Sequence, residues 1–154
     1  MSDAVLLDAS PLSLLARRPA WRTEGEQARR WADALLSEGV QVCVPEIIDY
    51  ELRRELLRSG KSASIGRLDR LKDVLVYLPL TTETMLLAAQ LWAGARNRGV
   101  PTAPSEALDI DVILAAQAML LQRAGLDCVV ATSNVRHIER FVPAARWQSI
   151  GSRG

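Results

Sequence analysis

The chain has 154 residues, of which 49% are hydrophobic and 24% charged, with a formal net charge of +1. That length suits one domain with a real core (residues 1–154) and leaves no room for two ordinary ones, and the composition excludes the disordered and fibrous classes. A near-neutral chain gives no global electrostatic case for nucleic acid, so any such case has to come from local clustering.

Charges interrupt every apolar run, which argues against a membrane span. The amino terminus lacks the basic segment and long apolar core of a signal peptide, and Asp3 and Asp8 fall inside that region. A cytoplasmic protein with no membrane contact is therefore expected. The two cysteines, Cys43 and Cys128, each sit in a short apolar run, where buried free thiols are expected rather than a disulfide. With the lone His137 they are too few for a zinc site.

Val5 to Leu7 reads as a first strand. Ser10 offers an N-cap, with Pro11 at the first helical position, for a short helix through Leu14 and Leu15 that Pro19 stops. Ala28, Trp31, Ala32, Leu35 and Leu36 recur at helical spacing over Thr23 to Ser37, and Gly39 closes that helix. Val40 to Val44 alternates like a second strand. Pro45 opens a helix that carries Glu51 and ends at Gly60. Ser62 to Asp73 is helical, with Ile65, Leu68 and Leu71 on one stripe, and Val74 to Leu78 is a third strand ended by Pro79. A long helix from Thr81 to about Arg98 is buried through Leu87, Leu91 and Ala95, and Trp31 and Trp92 fit helix core stripes. Gly99 to Ser105, with Pro101 and Pro104, reads as a loop into a helix that opens near Asp111 and ends at Gly125. Asp127 to Thr132 is a fourth strand, and Arg146 to Ile150 a fifth.

Strands separated by helices predict a three-layer α/β/α fold around a central, mostly parallel sheet of four to five strands. Active sites in such sheets form at the carboxyl ends of the strands, where Asp8 and the segment Thr132-Ser133-Asn134 both fall.

Three acids stand where apolar surroundings disfavour a charge: Asp8 after Ala4-Val5-Leu6-Leu7, Glu51 beside Ile47 and Ile48, and Asp111 before Val112-Ile113-Leu114-Ala115-Ala116. A divalent cation is one way to offset their desolvation. Each also has a structural explanation. Asp8 could cap a helix, although Ser10 with Pro11 offers that cap. Glu51 could pair with Arg54. Asp111 would be stabilised at a helix start, with Asp109 as the N-cap. Glu46, Asp49 and Glu55 compete with Glu51 for its position, and Asp109 competes with Asp111.

In this order the segments Val5-Leu6-Leu7-Asp8-Ala9-Ser10, Val44 through Leu52, Asp111 through Ala118 and Val129 through Asn134 resemble the PIN-domain nucleases, in particular the VapC-like ribonuclease toxins of bacterial and archaeal toxin–antitoxin pairs. The resemblance spans nearly the whole chain. It implies a PIN-like fold and metal-dependent hydrolysis of RNA phosphodiester bonds, with Asp8, Glu51 and Asp111 as catalytic acids that hold Mg²⁺ or Mn²⁺. Asn134 stands where many members carry a fourth Asp, so it would act through water and leaves one ion better provided for than two. Ser10 and Thr132 match hydroxyls that bind the carboxylates or the phosphate, with ordinary turn and cap chemistry as the alternative. A homodimer and a cognate antitoxin are further implications of the family.

Arg53, Arg54, Arg58, Lys61, Arg67, Arg70 and Lys72 crowd the middle of the chain. They read either as a solvated helix face or as a grip on RNA phosphates near the Glu51 helix, led by Arg53 and Arg54. A catalytically silent PIN-like scaffold that binds RNA or a protein is the alternative function. A phosphatase with Asp8 as nucleophile is disfavoured by Ser10, because enzymes of the haloacid-dehalogenase type carry a second Asp there. A receiver-like domain would need paired acids and a Lys near a later strand end, and neither is evident. Gly-rich phosphate loops and a Ser-His-Asp set are absent.

Overall fold

Four apolar residues, Ala4–Leu7, form β1, and every one of them is buried, as a parallel strand covered by helices on both sides requires. The computed structural model describes residues 2–98 and 105–151. It sets β1 between β2 (Gln41–Pro45) and β4 (Cys128–Ala131), with β3 (Val76–Leu78) beyond β2 and β5 (Ala144–Ala145) beyond β4. Every pairing is parallel, and Leu6 stands opposite Cys43 on one side and Val130 on the other. The central parallel sheet read from the sequence is therefore present, with five strands in the order β3-β2-β1-β4-β5.

Helices α1 (Ala9–Leu15) and α2 (Glu24–Ser37) link β1 to β2, and α3 (Glu46–Arg58) and α4 (Ser62–Val74) link β2 to β3. Helices α5 (Thr82–Asn97) and α6 (Ser105–Arg123) then cross back to β4, and α7 (Val135–Ile138) leads to β5. Right-handed crossovers put α1 to α4 on one face and α5 to α7 on the other, giving three layers. Leu12, Leu35, Ile48 and Leu68 fill one side of the core. Leu87, Ala88 and Ala95 of α5 meet Leu108, Val112 and Ala116 of α6 on the other. Thr23 and Thr81 cap α2 and α5 through their hydroxyls. Cys43 and Cys128 are buried free thiols, pushed up to about 12 and about 11 by burial. Among the described residues no helix is long and apolar enough to cross a membrane.

Several expected boundaries move. Val74 belongs to α4, not to the third strand, because the Leu75 amide still donates to the Leu71 carbonyl (2.8 Å) and extends the helical ladder. The fifth strand is Ala144–Ala145 instead of Arg146 to Ile150, and Trp147–Ser149 forms a 3₁₀ turn. That turn brings Trp147 against Trp31 of α2 (ring centroids 5.6 Å apart), and the Trp31 indole N–H donates to the Ile150 carbonyl at 2.8 Å. Trp31 is thus a core residue, whereas Trp92, expected on a core stripe, is exposed on α5. Of the loop expected over Gly99 to Ser105, residues 99–104 lie outside the described residues, and Ser105 already begins α6.

Leu6 is fully buried at the centre of the sheet, and truncating such a residue leaves a cavity that the strands on both sides cannot fill. Leu6→Ala is expected to destabilise the fold by about 2–5 kcal/mol, checked by urea denaturation with an unchanged slope.

Candidate active site

The chain reverses its direction of travel across the sheet at β1, since β2 lies on one side of it and β4 on the other. A crevice forms at such a switch point, beyond the carboxyl ends of the two adjacent strands. Asp8 follows β1 directly and Thr132 follows β4. Their side chains meet there, with Thr132 Oγ1 donating to Asp8 Oδ2 at 2.6 Å. The other oxygen, Oδ1, accepts the Ala9 amide at 2.8 Å. Both residues are buried, Asp8 at 8% and Thr132 at 2% exposure. Thr132 Oγ1 also accepts the Asn134 amide at 2.9 Å, which shapes the turn after β4.

Asp8 is therefore the N-cap of α1, and Ser10 is not. The carboxylate reaches the first free amide of the helix before the Ser10 hydroxyl can, so Ser10 falls inside the first turn with its side chain exposed. Capping and a role in a cleft are not alternatives for Asp8, because one oxygen caps while the other faces Thr132.

Asp8, Glu51, Asp111 and Asn134 line a single cavity of about 260 Å³, together with Ala107 and His137. Glu51 comes from α3 and Asp111 from α6, two helices that touch at this edge. Asp111 does not open its helix as expected. It lies seven positions into α6, so no helix-start dipole stabilises its charge and Asp109 is not the N-cap. Its pKa is raised to about 6, by burial first and then by the Asp8 charge, while the Arg140 guanidinium acts the other way. Glu51 is also raised, by burial first and by Asp8 and Asp111, with Arg54 opposing. The three acids thus sense one another across the cavity.

The competing acids are committed elsewhere. Glu46 accepts the Tyr77 hydroxyl at 3.0 Å and the Leu80 amide at 2.6 Å. Asp49, 6% exposed, pairs with Arg53 at 3.0 Å and Lys72 at 3.1 Å. Glu55 pairs with Arg58. Asp109 is exposed and lines a groove between α5 and α6 with Met85 and Trp92.

Several of the basic residues read either as a solvated face or as a phosphate grip are held within the fold. Arg53 bridges Asp49 and Asp69, the latter at 2.6 Å, so it ties α3 to α4 and is not available to phosphate. Arg67 donates to the Ala16 carbonyl at 2.7 Å and Lys72 is held by Asp49. Arg54 is different. It is exposed, its guanidinium lies 5.1 Å from the Tyr50 ring centre, and it lines a second cavity of about 450 Å³ with Ser10, Ser13, Glu51 and Glu55. Glu51 borders both cavities.

Arg140 was not singled out from the sequence, and His137 was considered only as a zinc ligand or triad member. His137 lines the acidic cavity, and Arg140 donates through Nε to the His137 carbonyl at 3.1 Å and acts on Asp111. The spacing of three in Asn134, His137 and Arg140 was the available signal, since one turn of helix stacks such residues on one side.

Hard carboxylate oxygens from three separate elements, with Glu51 and Asp111 raised in pKa by burial and like charge, are a donor set suited to Mg²⁺ or Mn²⁺. Among the described residues no three His, Cys, Asp or Glu side chains stand as a preassembled cage. The carboxylates are within electrostatic reach of one another without being closed around a point.

The PIN domain family model matches residues 5–140. Among solved structures, the chain is similar to VapBC2 from Rickettsia felis bound to a DNA fragment from their promoter, with TM-score 0.71 at 13% identity over 94% of this chain and 98% of that one. It is also similar to FitAcB from Neisseria gonorrhoeae (TM-score 0.64, 22% identity, 95% and 99% covered). DNA-bound VapBC from Salmonella typhimurium gives TM-score 0.60 at 21% identity, with 94% and 98% covered. At these identities the likeness is one of fold. No curated protein sequence matches the chain.

An unfolded Asp titrates at about 3.9, whereas Asp111 in the fold titrates at about 6. Between these values the folded state keeps a proton that the unfolded state has lost, so this contribution to stability is full below the unfolded pKa and is lost as pH rises through about 6. In divalent-free buffer, Asp111→Asn is therefore expected to melt above the unsubstituted protein at pH 7.5 and to converge with it near pH 4. Parallel Tm curves across that range would contradict the coupling.

Proposed function

The chain belongs to the PIN-domain family, and we propose that it is a metal-dependent endoribonuclease, the toxin of a type II toxin–antitoxin pair. PIN domains are generally nucleases that use divalent metal ions, and the observation that carries the reading here is the convergence of Asp8, Glu51 and Asp111 on one cavity. The reading takes the chain as one PIN-like domain, cytoplasmic, acting as a homodimer and held in check by a cognate antitoxin. The VapBC neighbours support that partner.

Asp8 and Asp111 hold Mg²⁺ or Mn²⁺ directly. Asp8 is suited to this because Thr132 and the Ala9 amide fix its rotamer while each oxygen keeps a free lone pair. When bound, the cation supplies an acidified water and offsets the charge that builds on the phosphate. Glu51, on the same cavity, would orient the attacking water. Asn134 presents an uncharged amide to the same cavity and contributes through water, so one ion is better held than two. Ser10 and Arg54, in the adjoining cavity, contact the phosphate backbone. Thr132 serves that contact only through Asp8.

RNA cleavage in Mg²⁺ or Mn²⁺ is expected to stop with EDTA and to fall at least about a hundredfold in Asp8→Asn and in Asp111→Asn, read as product per minute on labelled RNA. Activity that survives both substitutions would rule out this site. Expression should arrest growth, with co-expression of the product of an adjacent small gene relieving it. Absence of cleavage with every RNA and metal tried would leave the chain a silent scaffold.

A further inference from the structure

Another cavity, about 280 Å³, is lined by Ala95 of α5, by Arg98 at the carboxyl end of that helix, and by Arg140 and Phe141. No acid lines it. Arg98 spends one N–H on the Gly94 carbonyl of its own helix (3.1 Å), and Arg140 spends Nε on the His137 carbonyl. Arg140 Nη2 is buried and has no hydrogen-bond partner. Among the described residues, neither arginine forms an ion pair. A buried guanidinium N–H without an acceptor is costly, and two guanidiniums turned to one cavity repel each other unless an anion joins them.

The two cavities are coupled through the chain. His137 lines the acidic cavity, its carbonyl holds Arg140, and the Arg140 charge acts on Asp111. An anion bound between Arg98 and Arg140 is therefore linked to the acidic cavity through the contact of Arg140 with the His137 carbonyl. On the opposite sequence flank Arg54, which shares a cavity with Glu51, provides the other cation.

We infer that Arg98 and Arg140 form a phosphate-binding subsite for the RNA strand, taking a backbone phosphate next to the one held at the acidic cavity. The inference rests on the nuclease reading and deepens it. Guanidinium forks match phosphate oxygens in pairs, and an acidic cavity repels a polyanion unless neighbouring cations hold the flanking phosphates. The subsite thus acts on binding and register, while the carboxylates act on the scissile bond. A carboxylate from a bound protein partner is the competing occupant.

The test uses the full chain carrying Asp8→Asn, to prevent cleavage, and a fluorescein-labelled single-stranded RNA pool of random sequence. Anisotropy is followed over a KCl series. Adding Arg98→Ala or Arg140→Gln is expected to weaken binding about three- to tenfold and to lower the salt slope by about 0.7 for each charge lost. Arg136→Ala, an exposed cation of α7 outside the cavity lining, serves as the charge-matched comparison and should change neither. Because Arg98 is exposed, its substitution carries the test even if Arg140→Gln unfolds.

Unchanged RNA affinity and salt slope in Arg98→Ala, with RNA cleavage intact when Arg98→Ala is made alone, would overturn the subsite and leave the nuclease standing. Loss of antitoxin binding with RNA affinity unchanged would assign the cavity to a protein carboxylate and likewise overturn it. If the unsubstituted chain neither binds nor cleaves RNA, both readings fail together.

Discussion

The hydrogen bond from Thr132 Oγ1 to Asp8 Oδ2, 2.6 Å long, joins the carboxyl ends of β1 and β4, strands that are 124 residues apart in sequence for this pair and adjacent in the sheet. A buried carboxylate is costly unless its oxygens are engaged, and here the backbone amide of Ala9 and the Thr132 hydroxyl engage them. The register Leu7 opposite Ala131 puts the two side chains within reach. A slip of one residue would turn both to the other face of the sheet. The position of the acidic cavity is therefore a consequence of strand register before it is a consequence of any loop.

Around that fixed point the other acids sort by whether a partner is supplied. Glu46 is taken up by Tyr77 and Leu80, and Asp49 by Arg53 and Lys72. These contacts tie α3 to β3 and α4, so they belong to the packing of the fold. Glu51 and Asp111 receive no hydrogen-bond donor of this kind among the described residues, and their pKa values are raised. Glu51 and Asp111 thus differ in energetic terms from the acids that hold α3 to its neighbours, while Asp8 is both paired and part of the acidic cavity. A paired acid stabilises its fold, whereas an acid crowded by burial and like charges weakens it unless a cation arrives.

Much of this was legible in the sequence because apolar runs and helical periods encode burial directly. The strands around Leu6, Val42 and Val130 and the helices carrying Glu51 and Asp111 were read correctly in type. What the sequence carried less well depended on partners distant in the chain. The Arg53 charge looked available until Asp49 and Asp69 were brought to it by the α3–α4 turn. Ser10 looked like a cap because cap preference is local, whereas the register of β1 had already put Asp8 one amide away from the helix start. Arg146 to Ile150 alternated like a strand, yet Trp147 and Ile150 instead contact Trp31. His137 was set aside and Arg140 not singled out, because their place beside the acidic cavity and Asp111 arises only once the chain around α7 packs against α6.

Identities of 13–22% with chains that share the fold follow from the same economy of constraint. Apolar strand positions exchange among Val, Ile, Leu and Ala at small cost so long as volume and pattern are kept. Surface pairs such as Arg58 with Glu55 contribute little. The direction of the five parallel strands and the buried pair Asp8 and Thr132 at their carboxyl edge are constrained more tightly, because each depends on a particular neighbour. Net charge is uninformative for the same reason. Of the cations of α3 and α4, Arg53, Arg58 and Lys72 pair with acids, so on the proposed reading the charges offered to a polyanion at the cleft include Arg54, which shares a cavity with Glu51, and Arg98 with Arg140.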